Sequence, residues 1–366
     1  MCILLRCLNT QNIRKRRIAE EENMGNPKKH ITLRALSEQL GLHVSTVSRV
    51  LNGAQDEISL AASPETVQRI RELASKNNYR PNPHATSLKT QRSQTIGVLV
   101  PRLSDLVLAT IYEGIDESAT KNHMFTFVSN THDKVSAQRK LGEMALERRV
   151  DGLIIGDAHT GSENEFLNEI NARGIPFILV SRHAGDYCAV TCNDYLGGKL
   201  AAEHLIEQGH TRLAVIAGEP FASTGLDRTA GFVDHCKASG ITVSTDWIIH
   251  SHFDTQAGYE AGIKLLSAQR RPSAIFAVND FIAIGLMGAA RTQGITPGRD
   301  IAIVGFNDTP LASQLPIPLS SIQSPMREMG YSAMELLVER MKGNMVKSLV
   351  LEPTLMIRDS SIVNVI

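Results

Sequence analysis

The chain has 366 residues, of which 42% are hydrophobic and 21% charged, enough to bury more than one core. Its 38 lysines and arginines balance 38 aspartates and glutamates, so the whole molecule is no polycation and any affinity for phosphates must come from local clustering. Five scattered cysteines, Cys2, Cys7, Cys188, Cys192 and Cys236, suit a reducing compartment, the cytoplasm, better than a disulfide framework.

The opening stretch MCILLRCLNTQNIRKRR does not read as an export signal. Arg6 interrupts its apolar run, the basic residues follow the run, and no small-residue cleavage pattern appears. No later stretch approaches the roughly 20 apolar residues that a membrane span needs. Residues 1–28 read as a loose, partly basic tail, with Met24 as an alternative start.

Order begins at Ile31. Thr32 caps a predicted helix whose Leu33, Leu36 and Leu40 recur at helical spacing, and Gly41 permits the turn that ends it. A second predicted helix, residues 44–51, turns Val47, Val50 and Leu51 inward and leaves Val44, Ser45, Thr46, Ser48 and Arg49 outward. A third starts at Ser63-Pro64-Glu65-Thr66 and buries Val67, Ile70 and Leu73. From Lys28 to Arg92, ten lysines and arginines face five carboxylates, a local excess that suits a polyanion. Spacing alone fits both a DNA-binding helix-turn-helix and a small bundle with a solvated polar face.

After Arg92 the rhythm changes. Buried-type strands are expected at residues 95–100, 125–129, 153–155, 177–180, 213–216, 274–278 and 301–304, with helical patterns between them. This predicts parallel sheets wrapped in helices, in two subdomains. Signatures of chemistry are missing. Cys188 and Cys192 have no second ligand pair nearby, and Gly197-Gly198-Lys199 lacks the phosphate-loop spacing. No G-x-S-x-G or H-E-x-x-H occurs, and His204 and His210, flanking a helix end, read as solvated or capping residues. No enzyme is expected, and no metal or cofactor.

Five stretches occur in a fixed order: ITLRALSEQLGLHVSTVSRVLNG, NYRPNPHATSLKTQRSQTIGVLVP, GGKLAAEHLIEQGHTRLAVIAG, FAVNDFIAIG and IAIVGFNDTPLA. Through them, from about Ile31 to Ser360, the chain resembles the lactose/galactose repressor (LacI/GalR) family of bacterial transcriptional regulators. The resemblance implies an all-α helix-turn-helix DNA-binding domain at residues 29–80 and a hinge at 81–93. An α/β, periplasmic-binding-protein-like domain of two doubly wound subdomains would follow at 94–360, binding effector and dimerising, before a tail at 361–366. It further implies a sequence-specific repressor, cytoplasmic and at the nucleoid. Such a homodimer would bind double-stranded DNA at a near-palindromic operator, under the control of a sugar or sugar-acid effector.

In the family the second helix lies in the major groove, which would set Val44, Ser45 and Arg49 against base edges. Thr32, Thr46, Ser48, Asn52 and Tyr79 match positions that hold phosphates. Ala85 and Leu88 match the hinge helix, whose paired leucines would wedge into the minor groove and kink the duplex. Arg182, Arg228, Asn279 and Asn307 match effector contacts, and a fork-shaped Arg with amides suits vicinal hydroxyls or a carboxylate. Arg228 equally fits a pair with Asp227 or a neighbouring helix, and Asn279 with Asp280 fits a cap for the helix from Phe281.

The chain departs from the family in four places. His43 replaces a capping Ser, and GAQDEISLAAS makes a longer loop before the third helix. Asn307 stands where an acidic residue is common, and Asp105-Leu106-Val107-Leu108 where Asn-Pro-Phe-Phe is frequent. Phe221, Phe281 or Phe306 could restore the lost aromatic wall. The short ending, without leucine heptads, makes a dimer the expected assembly.

Overall fold

Leu36, Val47 and Ile70, none of them exposed to solvent, form the centre around which the amino-terminal helices assemble. The structure is a computed structural model that describes residues 31–53, 55–80, 92–161 and 164–362. The chain divides into two compact units, residues 1–91 and 92–366. The expected tail at 1–28, hinge residues Ala85 and Leu88, and residues 363–366 of the expected tail at 361–366 lie outside the described residues, whereas Ser361 of that tail is buried.

In the first unit, α1 (Leu33–Leu40) is capped by the Thr32 hydroxyl, which accepts from the Ala35 amide at 3.2 Å. Gly41 ends it at φ 65°, a left-handed conformation that glycine adopts without strain. Next comes α2 (Val44–Asn52), and its cap is the His43 ring, whose Nδ1 accepts from the Ser45 amide at 3.3 Å. The supposed long loop proves to be a short helix, α3 (Gln55–Ala61). Asp56 and Glu57 in its first turn suit the positive helix end, and Ile58, 8% exposed, ties it to the core. The last helix of the unit, α4 (Pro64–Lys76), is capped by Ser63 and buries Ile70 and Ala74.

The second unit holds two six-stranded sheets. In the first subdomain, β1 (Thr95–Val100), β2 (Phe125–Asn130), β3 (Gly152–Ile155), β4 (Phe177–Val180) and β5 (Ala189–Cys192) alternate with α5 (Leu106–Lys121), α6 (Val135–Glu147) and α7 (Glu165–Ala172). The second subdomain begins with α8 (Asp194–Glu207), β6 (Leu213–Ala217), α9 (Ser223–Ala238) and β7 (Ile248–His250). It continues with α10 (Thr255–Leu266), β8 (Ala274–Ala277), α11 (Asp280–Thr292), β9 (Ala302–Asn307) and β10 (Ser320–Gln323). Then α12 (Met326–Met341) returns to pack on α5 and on the first sheet, whose edge gains β11 (Leu349–Leu351), while β12 (Thr354–Met356) closes the second.

The strand orders are β2-β1-β3-β4-β5-β11 and β7-β6-β8-β9-β10-β12, and only β12 runs antiparallel to its neighbour. Both sheets are doubly wound, so the loops after β1, β3, β6 and β8 surround a switch point in strand order, where such sheets bind ligands. The chain crosses between subdomains three times, at Asn193, at residues 324–325 and at residues 352–353. Two of these crossings are tied, the Asn193 amide donating to Leu351 O at 2.8 Å and its side chain to Glu352 Oε1 at 3.2 Å.

His204 is buried, not solvated as its sequence position suggests. Its Nε2 meets the Ser361 hydroxyl at 2.7 Å, and Ser361 in turn donates to Ser320 Oγ at 2.6 Å. The last described segment is thereby fastened under the second sheet, and burial pushes the pKa of the imidazole down.

Candidate nucleic-acid face and ligand cleft

On α2 the inward side is Val47 and Val50, both buried. Val44, Ser45, Arg49 and Asn52 are exposed, and Thr46 and Ser48 are half-buried. These residues thus share the outer surface of one helix, with Thr32 exposed at the start of α1. Tyr79 is half-buried against the helical core, its amide donating to Ala74 O at 2.8 Å. The His43 ring also lies 2.7 Å from the Ser45 hydroxyl, so the unusual cap orients one of the outward side chains.

The cleft of the second unit is a cavity of about 470 Å3 lined by residues of both subdomains, a size typical of small-molecule sites. From the first come Asp105, Asp133 and Arg182; from the second come Phe221, Arg228, Phe253, Asn279 and Asn307. All four expected effector residues therefore reach one cavity.

Close helix packing sets the position of Arg228. A Cβ on Gly198 of α8 would stand 2.0 Å from Arg228 O, so only glycine allows α8 and α9 to cross this tightly. Across that crossing Arg228 Nε donates to Asp194 Oδ1 at 2.7 Å, while Nη1 donates to Val278 O at 2.8 Å. Its guanidinium lies 3.7 Å from the Phe306 ring centre. The partner on a neighbouring helix is thus Asp194, not Asp227. Burial raises the Asp194 carboxyl to about 6, although Arg228 pulls it the other way.

Arg182 forks onto Asp133 at 2.6 and 3.2 Å and has the Phe221 and Phe253 rings each 5.8 Å away. Asn279 does both things its sequence allows. Its Oδ1 caps α11 by accepting from the Ile282 amide at 2.7 Å, and the residue also lines the cavity. Asn307 sits at φ 98°, a strained value for a residue with a side chain, and its buried Oδ1 has no hydrogen-bond partner.

Several contacts join the two lips of the cleft. Arg102 approaches Asp254 at 3.7 Å, and His159 stacks on Phe221 with ring centres 4.2 Å apart. The Thr160 amide donates to Phe221 O at 2.8 Å, and the His183 ring meets Asp227 at 2.8 Å. That hydrogen bond raises the His183 pKa.

Sequence reasoning missed Phe253, Asp133 and Asp254, which sit in the polar loops NTHDK and HSHFDTQAG. It offered three aromatics for the lost wall, of which Phe221 and Phe281 line the cavity, while Phe306 is fully buried beneath Arg228. Among the described residues no group of three or more His, Cys, Asp or Glu side chains is arranged to hold a metal ion.

With this geometry in view, the likeness to known proteins covers nearly the whole chain. Residues 202–361 match the periplasmic binding protein-like domain model. The ribose operon repressor of Haemophilus influenzae is 30% identical over 335 residues, spanning 90% of this chain and 98% of that protein. The chain belongs to the lactose/galactose repressor (LacI/GalR) family of transcriptional regulators. The PurR repressor of Vibrio vulnificus, 29% identical, likewise spans 90% of this chain and 98% of its own length. Among solved structures, the lac repressor dimer bound to operator and an anti-inducer is similar with a TM-score of 0.82 and 25% identity, over 91% of this chain and all of that one. The regulator CelR in complex with cellobiose has a TM-score of 0.69 and 26% identity, over 90% of this chain and 99% of that one. As in the LacI/GalR family at large, the chain is a regulator and not an enzyme.

Proposed function

We propose that the protein is a homodimeric repressor that grips a near-palindromic operator and whose grip is set by a small polyhydroxylated molecule, a sugar or sugar acid, in the cleft. The observation that carries this reading is the outward set Val44, Ser45 and Arg49 on α2, borne by the same chain as a two-subdomain ligand cleft. Arg49 reads a guanine through a two-pronged contact and Val44 presses on a thymine methyl. Thr32, Thr46, Ser48, Asn52 and Tyr79 hold phosphates and fix register. Ala85 and Leu88 supply the minor-groove contact, with Leu88 as the wedge. One such unit reads half a site, so two are needed. The lac repressor structure, a dimer on operator, supports that assembly, and CelR with cellobiose supports a sugar-sized ligand. A repressor with this role would act in the cytoplasm, at the nucleoid.

Arg182, Arg228, Asn279 and Asn307 are the proposed effector contacts. A ligand touching both lips changes the angle between subdomains about the three crossings, and so the spacing at which a dimer presents its hinge segments. Selection from a random duplex pool tests the reading. Wild-type protein should enrich a near-palindrome, whereas Arg49→Ala should lose the sequence preference by roughly 10- to 100-fold and keep weak, salt-sensitive binding. A monomer that enriches nothing contradicts the reading.

A further inference from the structure

Three arginines line the cleft, and each is already paired with a carboxylate of this chain. Arg228 holds Asp194 at 2.7 Å, Arg182 holds Asp133 at 2.6 Å, and Arg102 faces Asp254 at 3.7 Å. The lining itself carries four carboxylates, Asp105, Asp133, Glu219 and Asp254, against those three cations. Two histidines also line it, and one of them, His252, is bonded to Glu219. Positive charge in the cleft is therefore spent on the protein's own acids.

Asp105 is the informative member of this set. It stands where the resemblance places an Asn, and its Oδ1 caps α5 by accepting from the Val107 amide at 2.9 Å. Burial pushes its carboxyl above the usual range, although the Val107 amide and the charges of Arg182, Arg102 and Arg228 pull it down. The unpartnered Asn307 Oδ1 adds another acceptor without a donor. Such a cavity offers hydrogen-bond acceptors to hydroxyl groups. To an anion it offers neutral donors such as Asn279 and Thr224, and three arginines whose charge is already offset by carboxylates of this chain.

We propose that the cleft selects uncharged polyhydroxylated ligands over their acids and phosphate esters, and that Asp105 is the residue that sets this preference. The proposal rests on the effector reading above and narrows it from sugar or sugar acid to the neutral class. A hydroxyl of the ligand donates to Asp105, while a ligand carboxylate in the same place meets like charge.

The test uses the full-length chain and matched pairs of ligands: ribose, xylose and glucose against ribonate, xylonate and gluconate, with ribose 5-phosphate as a further anion. Calorimetry should give at least one neutral sugar whose dissociation constant is tenfold or more below that of its own acid. Asn can replace the Asp105 helix cap, so Asp105→Asn keeps the fold. This variant should shrink that ratio to threefold or less. Asp254→Asn, in the opposite lip, should shrink it in the same direction. An acid or phosphate that binds as tightly as its neutral partner, or a ratio unmoved in both variants, overturns the proposal and leaves the effector reading standing. Absence of binding by every member of both classes brings down the two together.

Discussion

Asp280 is fully buried and accepts three hydrogen bonds, from the Ser321 hydroxyl at 2.6 Å and from the Thr309 amide and hydroxyl at 2.6 and 2.9 Å. Even so, burial raises its pKa to about 6 from an ordinary 3.8. Above pH 6 the group is ionised in both folded and unfolded chains, and the folded state bears the cost of keeping a charge out of water. Between pH 6 and 4 the folded form takes up a proton that the unfolded form does not, so this group's contribution to stability rises as pH falls. The difference amounts to roughly 3 kcal/mol for one such carboxyl, and Asp194, also raised to about 6, acts with the same sign. Asp280→Asn should therefore flatten the melting temperature against pH between 4 and 7 relative to wild type, whatever its absolute stability. Parallel curves for the two proteins would refute this. The same residue scale separates what is written in the sequence from what is not. Arg228, Asn279 and Asn307 are found through their motifs, but the partner of Arg228 is 34 positions earlier in the chain. Only the glycine-lined crossing of α8 and α9 brings Asp194 to it.

At the scale of elements, α3 is the main feature that spacing did not reveal. Seven residues without a regular apolar stripe read as loop, yet Ile58 finds a place beside Val47 and Ile70 and the segment winds into a helix. The family-like basic surface is modified as a result, because α3 carries Asp56 and Glu57 into the amino-terminal unit. Ile58→Ala should cost about 2–4 kcal/mol by cavity formation. It should lower an early calorimetric transition of the helical unit and leave the transition of the α/β unit in place. A wild-type thermogram would show that α3 is not anchored through this side chain. Parallel, buried strands such as FILV and LAVIA were legible because they are unbroken apolar runs. The strands β5, β7, β10, β11 and β12 were not, being three or four residues long and, in SSIQ, mostly polar. Cleft residues follow the same logic. Those at strand ends beside a motif were found, and those in polar loops, Asp133, Phe253 and Asp254, look in sequence like ordinary turn chemistry.

At the scale of the whole molecule, a chain with no net charge must concentrate what it shows to DNA. Residues 31–80 contain six lysines and arginines against five carboxylates, so much of the excess between Lys28 and Arg92 comes from the flanking segments. On the proposed reading, sequence preference belongs to α2 and its Arg49, and general affinity to a wider set of cations. Control belongs to the cleft, where the three crossings give the subdomains a defined place to turn and the contacts of Arg102, His159, Thr160 and His183 join its lips. A ligand with a differential affinity of about 1.4 kcal/mol for one cleft geometry shifts DNA affinity by about tenfold, and larger differences shift it further. The decisive measurement is a titration of the selected duplex with the protein, with and without a saturating neutral sugar identified by calorimetry. The dissociation constant should change by at least tenfold, and the change should disappear with a variant that no longer binds the sugar. Identical curves with and without ligand, at a concentration that calorimetry proves saturating, would contradict the coupling of cleft to operator.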